Sequence, residues 1–197
     1  MRFERPFSEQ GFTLTELLVA MVIGLIVMAA VYSTYMSQLK SNEITQEVSA
    51  VQQNLRAAMY YLEREIRMAG YNPTGATGAN KPTFTDISDA NDPTDPAITF
   101  TKDLDANGTI ETNTAEQVTF WRDSGAKELK MKLGTGGDAR TLAQNITTLT
   151  FSLLNNTGGA ALTGANVRSV QITLAGTSSG GHQRQLSGRV LCRNMGL

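Results

Sequence analysis

The sequence predicts an α+β protein, with one long N-terminal helix packed on a C-terminal antiparallel β-sheet. Three observations predict it. Between Phe12 and Met36 the chain is almost wholly apolar, with Glu16 its one ionisable carboxylate or amine. From Ile44 to Ile66 apolar residues return at steps of three and four, the period of a helix with one buried face. Beyond residue 97 short segments alternate apolar and polar side chains and are separated by Gly-rich turns, the pattern of strands with one wet face.

The first element is the apolar run. At 1.5 Å per residue, 12–36 makes a helix about 37 Å long, enough to cross a hydrocarbon core of roughly 30 Å with some tilt. Glu16 is the anomaly in it, since an acidic residue inside a bilayer costs on the order of 2.5 to 3.5 kcal/mol and needs a compensating partner. Residues 1–11 form a short mixed-charge leader with Pro6, too polar to fold alone. A secretory signal would place its small-residue cleavage site after the apolar run, whereas here Gly11 precedes it.

The string GFTLTE at 11–16, followed by LLVAMVIGLIVMAAVY, resembles the prepilin signal of the type IV pilin superfamily at every position. The resemblance implies a type IV pilin fold, cleavage between Gly11 and Phe12 by a prepilin peptidase, and N-methylation of Phe12. It also implies that Glu16 pairs with the amino terminus of Phe12 of a neighbouring subunit during assembly.

The helix continues as an amphipathic half over 37–70. Ile44, Val48, Val51, Leu55, Met59, Leu62 and Ile66 share one face, and Gln46, Gln53, Asn54, Arg56, Glu63 and Arg67 the opposite one. Gly70 offers a left-handed cap and Pro73 prevents continuation, so the helix is expected from about Thr13 to Ala69. Residues 71–97 hold four of the five prolines and read as an irregular connection from helix to sheet. Within the sheet domain, 98–197, strands are expected at 98–101, 118–121, 128–133, 146–154, 167–175 and 184–192. The turns fall at GTGG, NNTGG and SSGG.

The net charge of −1 argues against an electrostatic nucleic-acid binder. Cys192 is the one cysteine, so no intramolecular disulfide forms, and it is expected in a buried strand. His182 is the one histidine and sits in a Gly-Ser turn, which leaves a His-based triad or zinc site without a second member. No catalytic constellation is found, and no enzyme is expected.

One loop stands apart. In DLDANGTIE, 103–111, Asp103, Asp105 and Asn107 with Gly108 reproduce the first half of an EF-hand loop, and Thr109 is placed to offer its carbonyl. Thr114 stands where the bidentate Glu belongs; Glu111 and Glu116 are possible substitutes, but neither has the spacing. Two readings stay open: a calcium loop, or a hairpin turned by Asn107 and Gly108. No other cofactor is expected.

LEREIRMAGYNPTG (62–75), AQNITTLTFSL (143–153) and RVLCRN (189–194) further resemble PilW-type minor pilins, whose relatives in type II secretion are the J-type minor pseudopilins. The resemblance implies a structural subunit that primes or joins the pilus. Its partners would be other minor pilins and the major pilin (or pseudopilins), prepilin peptidase, the inner-membrane assembly platform and membrane lipid. It places the protein in the bacterial inner membrane as a single-pass subunit, with its C-terminal domain in the periplasm before incorporation into the fibre. A membrane-anchored enzyme or receptor is the competing class, and it lacks a signature.

Overall fold

The computed structural model describes residues 11–86, 96–161 and 163–195. Most of the leader, and 87–95 of the expected helix-to-sheet connection, lie outside the described residues. The chain divides into two compact units that meet between Thr45 and Gln46. The first is the apolar part of helix α1 (Leu14–Arg67). Among the described residues this is the one helix long and apolar enough to cross a membrane. Its Leu17, Leu18, Val22, Ile23, Leu25 and Ile26 side chains are exposed, a continuous apolar surface suited to lipid.

The second unit holds the rest of α1 and eight strands. The strands are β1 (Phe84–Asp86), β2 (Ala97–Thr101), β3 (Gln117–Asp123), β4 (Glu128–Leu133), β5 (Arg140–Ala143), β6 (Ile146–Leu154), β7 (Ser169–Thr177) and β8 (Gln183–Leu191). They form two antiparallel sheets in sequential order, five-stranded β1-β2-β3-β4-β5 and three-stranded β6-β7-β8. The expected single sheet is thus split, with the break at Asn145, whose φ of +59° turns the chain out of β5. Ile146 N–H donates to Lys127 O and Arg122 Nε to Ile146 O, so one backbone bond and one side-chain bond tie the two sheets where the ladder stops.

Helix α1 buries Leu55, Ala58, Met59, Leu62 and Ile66, the C-terminal part of the stripe read from the sequence. These side chains join one core with Phe84, Ile98, Phe100, Val118, Phe120, Leu129 and Met131 of the larger sheet and Leu149, Phe151, Leu153, Val170, Ile172 and Leu174 of the smaller one. Two strand glycines let the helix come close. A Cβ on Gly176 would stand 3.4 Å from both Leu55 and Val51, and one on Gly188 would stand 2.7 Å from Glu63 Oε1. Glu47 clamps the β7–β8 turn, accepting from Ser179 Oγ at 2.7 Å and Gly180 N–H at 3.0 Å.

The helix ends two residues before the expected Ala69. Met68 and Ala69 N–H donate to carbonyls three residues back, a tightened last turn, and Gly70 (φ +77°) turns its N–H away to Thr101 O of β2. The sheet thus takes the donor that would have extended the helix. Strands β1 and β5 add to the expected set, and β7 runs 169–177 rather than 167–175, because a helical turn at Gly164–Asn166 delays its start. Cys192 lies just past β8 instead of within it, with its N–H donating to Arg168 O.

Candidate functional site

At the head of α1, residues 11–13 are unwound and the helix begins at Leu14. Gly11 has nothing within 4 Å of the position a Cβ would occupy, and Phe12 is 91% exposed. The Gly11–Phe12 bond therefore sits in exposed backbone outside the helix, where a peptidase can reach it. Immediately after it Thr13 and Glu16 form a reciprocal cap. Thr13 N–H donates to Glu16 Oε2 at 2.9 Å, Glu16 N–H donates to Thr13 Oγ1 at 3.3 Å, and the Thr13 hydroxyl donates back to Oε2 at 2.9 Å. This is a capping box, in which two helix donors that have no carbonyl to bond are satisfied at once.

The first hydrogen-bond partner of Glu16 within its own chain is thus Thr13, a residue the sequence reading passed over. The signal for it was present, since Thr-x-x-Glu before an apolar run marks a helix start. Phe12 lies beside Glu16 in a shallow recess shared with Leu17, Ala20 and Met21, without a hydrogen bond to it. The donors Thr13 offers are neutral. They solvate the Glu16 carboxylate and leave its charge uncompensated.

The acidic loop connects β2 to β3 and is anchored at its base. Lys102 Nζ meets Glu65 Oε2 of α1 at 2.7 Å, with both side chains largely buried. Asp103 N–H donates to Tyr71 O, and Thr74 Oγ1 donates to Asp103 Oδ2 at 3.2 Å. Ala106 (φ +60°) and Gly108 (φ +78°) reverse the chain, and Gly108 N–H donates to Asp103 Oδ2 at 3.1 Å. The return leg brings back Glu116, which is 4% exposed, and Leu104 N–H donates to its Oε1 at 2.8 Å. One carboxylate oxygen each from Asp103, Asp105 and Glu116 lie within 4.8 Å of one another.

The remaining EF-hand-like residues are tied to one another: the Asn107 amide donates to Asp105 Oδ2 and Glu111 Oε1, and its oxygen accepts from Thr109 N–H. These bonds brace the loop. Glu116 stands two places beyond the twelfth position where an EF-hand keeps its bidentate glutamate, and only the tertiary turn brings it in. Nor is the loop a two-residue hairpin, since it runs from Lys102 to Glu116 between its strands.

The sequence comparisons settle the family. A model of prepilin peptidase-dependent protein B matches residues 44–192, and one of the prokaryotic N-terminal methylation motif matches residues 7–32. The chain belongs to the prepilin peptidase-dependent protein B family. No curated protein matches it. As a type IV pilin-like protein it is a membrane-anchored structural subunit, not an enzyme, processed by prepilin peptidase and assembling with other pilins.

The rest of this pilin-like chain agrees with that role. Burial pushes the Cys192 thiol up to about 12, and the Arg168 charge offsets only part of that rise, so it is an apolar filler rather than a nucleophile. His182 stays in the β7–β8 turn, where its N–H receives Ser178 Oγ as acceptor.

Proposed function

We propose that this protein is a PilW-type minor pilin that primes or joins a type IV pilus, anchored by α1 in the inner membrane with its second unit in the periplasm. The observation that carries the reading is the head of α1, where an open Gly11–Phe12 bond stands directly before a carboxylate held in place by its own cap. After cleavage and methylation the Phe12 amine is a cation four residues upstream of the cap's far end, Glu16. In the isolated subunit Glu16 is bonded to neutral donors only, so a neighbouring subunit's amine adds what is missing, the opposite charge, in a medium where an unpaired carboxylate is costly. The pair sets axial register because only one displacement along the helix brings amine and carboxylate together.

Two substitutions separate charge from cap. Glu16→Ala removes both, and Glu16→Gln keeps an acceptor for Thr13 while removing the charge. Expressed in a deletion strain, both are expected to be cleaved and inserted, and to be missing from sheared fibres with piliation lost. Wild-type pilus numbers with Glu16→Gln would assign the carboxylate to capping alone. The J-type pseudopilin of type II secretion shares the N-terminal motif, and the same deletion strain discriminates it. Intact pili with failed export of secreted enzymes would replace the pilus reading by the secretion reading.

A further inference from the structure

The loop between β2 and β3 presents a cost that nothing within the described chain offsets. Asp103 is fully buried, and its Oδ1 is buried without a hydrogen-bond partner. Its other oxygen accepts from Gly108 N–H and Thr74 Oγ1, both neutral. Since the two oxygens share one carbon, the orphan lies at the cluster whichever of them is nearest Asp105 and Glu116. The ion pairs among the described residues do not reach these carboxylates, and the adjacent cation, Lys102, is committed to Glu65. Glu111 flanks the site, and its N–H donates to Glu116 Oε2 at 2.9 Å.

A buried carboxylate with an orphan oxygen is expensive, and two further carboxylates converging on it add like-charge repulsion. Water would satisfy the oxygen but not the charge. We infer that Asp103, Asp105 and Glu116 hold a divalent, oxygen-preferring metal ion, calcium, at the junction of the β2–β3 loop with the exit of α1. The ligand chemistry selects the class, since the cluster offers hard carboxylates with neither nitrogen nor sulfur. The spacing agrees. Calcium–oxygen distances of about 2.3 to 2.6 Å keep any two ligand oxygens within roughly 4.6 to 5.2 Å, and these oxygens, within 4.8 Å of one another, meet that bound.

The bound ion would fasten the loop to the chain leaving the helix. Asp103 reaches Tyr71 through its backbone and Thr74 through its side chain, so the metal's first ligand is already bonded to both.

Full-length protein in detergent, stripped with EDTA, tests this by calorimetric titration with calcium chloride. One ion per chain is expected, with saturation below about 10 mM and Kd near the roughly 10⁻⁴–10⁻³ M typical of extracellular modules. The melting temperature should rise about 3 to 6 °C at ten times Kd. Asp105→Asn is the informative variant, because its side chain is exposed and accepts only from Asn107, so the EDTA-treated protein should melt no lower than wild type, and higher by whatever like-charge repulsion the change relieves. It and Glu116→Gln should each weaken binding at least about tenfold, as loss of a charged ligand does. Magnesium chloride should bind more weakly than calcium, since it demands a smaller and more regular octahedron. Absence of saturable binding in wild type, undiminished binding in Asp105→Asn or Glu116→Gln, or magnesium binding as tight as calcium would overturn the assignment.

Discussion

Glu65→Ala should unfold the second unit well below the wild-type temperature, because it strands a buried ammonium. Lys102 Nζ and Glu65 Oε2 are 2.7 Å apart, with side-chain exposures of 8% and 14%. Breaking a buried pair by removing one partner costs about 3 to 5 kcal/mol, mostly the penalty of the charge left behind. The lower end applies here. Lys102 borders a surface recess with Tyr60, Glu63 and Leu104, through which water can reach the freed ammonium. For a chain of this length, about 3 kcal/mol lowers the melting temperature by roughly 6 to 12 °C. Fluorescence of Trp121 in β3, the one tryptophan of the chain, followed during heating of the full chain in detergent, measures it. The double variant Glu65→Leu with Lys102→Met removes both charges at similar volume and should return to within about 1.5 kcal/mol of wild type. A fall of less than about 2 °C for Glu65→Ala, or a double variant as unstable as the single one, would refute the reasoning.

Two further substitutions report on other joints of the fold. Gly70→Ala should cost roughly 1 to 3 kcal/mol, because the position has φ +77° and its new Cβ would overlap Met195 Sδ; adding Met195→Ala should recover the steric part, and no loss in thermal unfolding would contradict the packing. Cys192 should resist alkylation at pH 8 in the native protein and react quickly in denaturant, since a thiol pushed up to about 12 is almost wholly protonated there; rapid native labelling followed by mass spectrometry would place it at the surface.

The helix was legible because its signal is long. Leu55, Met59, Leu62 and Ile66 repeat at helical steps and are the residues it buries. Strands β4 and β6 were legible to the residue because Leu129 and Met131, and Leu149, Phe151 and Leu153, alternate with polar partners between Gly-rich turns. Strand β5 was not, because Arg140, Thr141 and Leu142 are not buried and little alternation remains. Strand β1 is three residues long in a Pro-rich setting and is held by its pairing with β2. The division into two sheets depends on the backbone reversal at Asn145, which is not Gly, and composition does not announce it.

The two functional regions differ in the same way. Gly11, Phe12 and Glu16 are contiguous, so a local pattern identifies them, and Thr13 could have been added from the capping-box spacing alone. At the acidic loop the alternating Asp103 and Asp105 were visible, whereas Glu116 and Thr74 arrive from opposite directions. Their contribution depends on the loop's turn at Ala106 and Gly108 and on the exit of α1, which is tertiary information.

Whether the chain is a prepilin whose mature head begins at Phe12 is decided by intact-mass measurement of the protein recovered from membranes of cells with an active prepilin peptidase. The expected mass lacks Met1 to Gly11 and carries one added methyl group at the new amino terminus, with Gly11→Val retaining the full leader. A wild-type protein that keeps Met1 to Gly11 in those cells would contradict it.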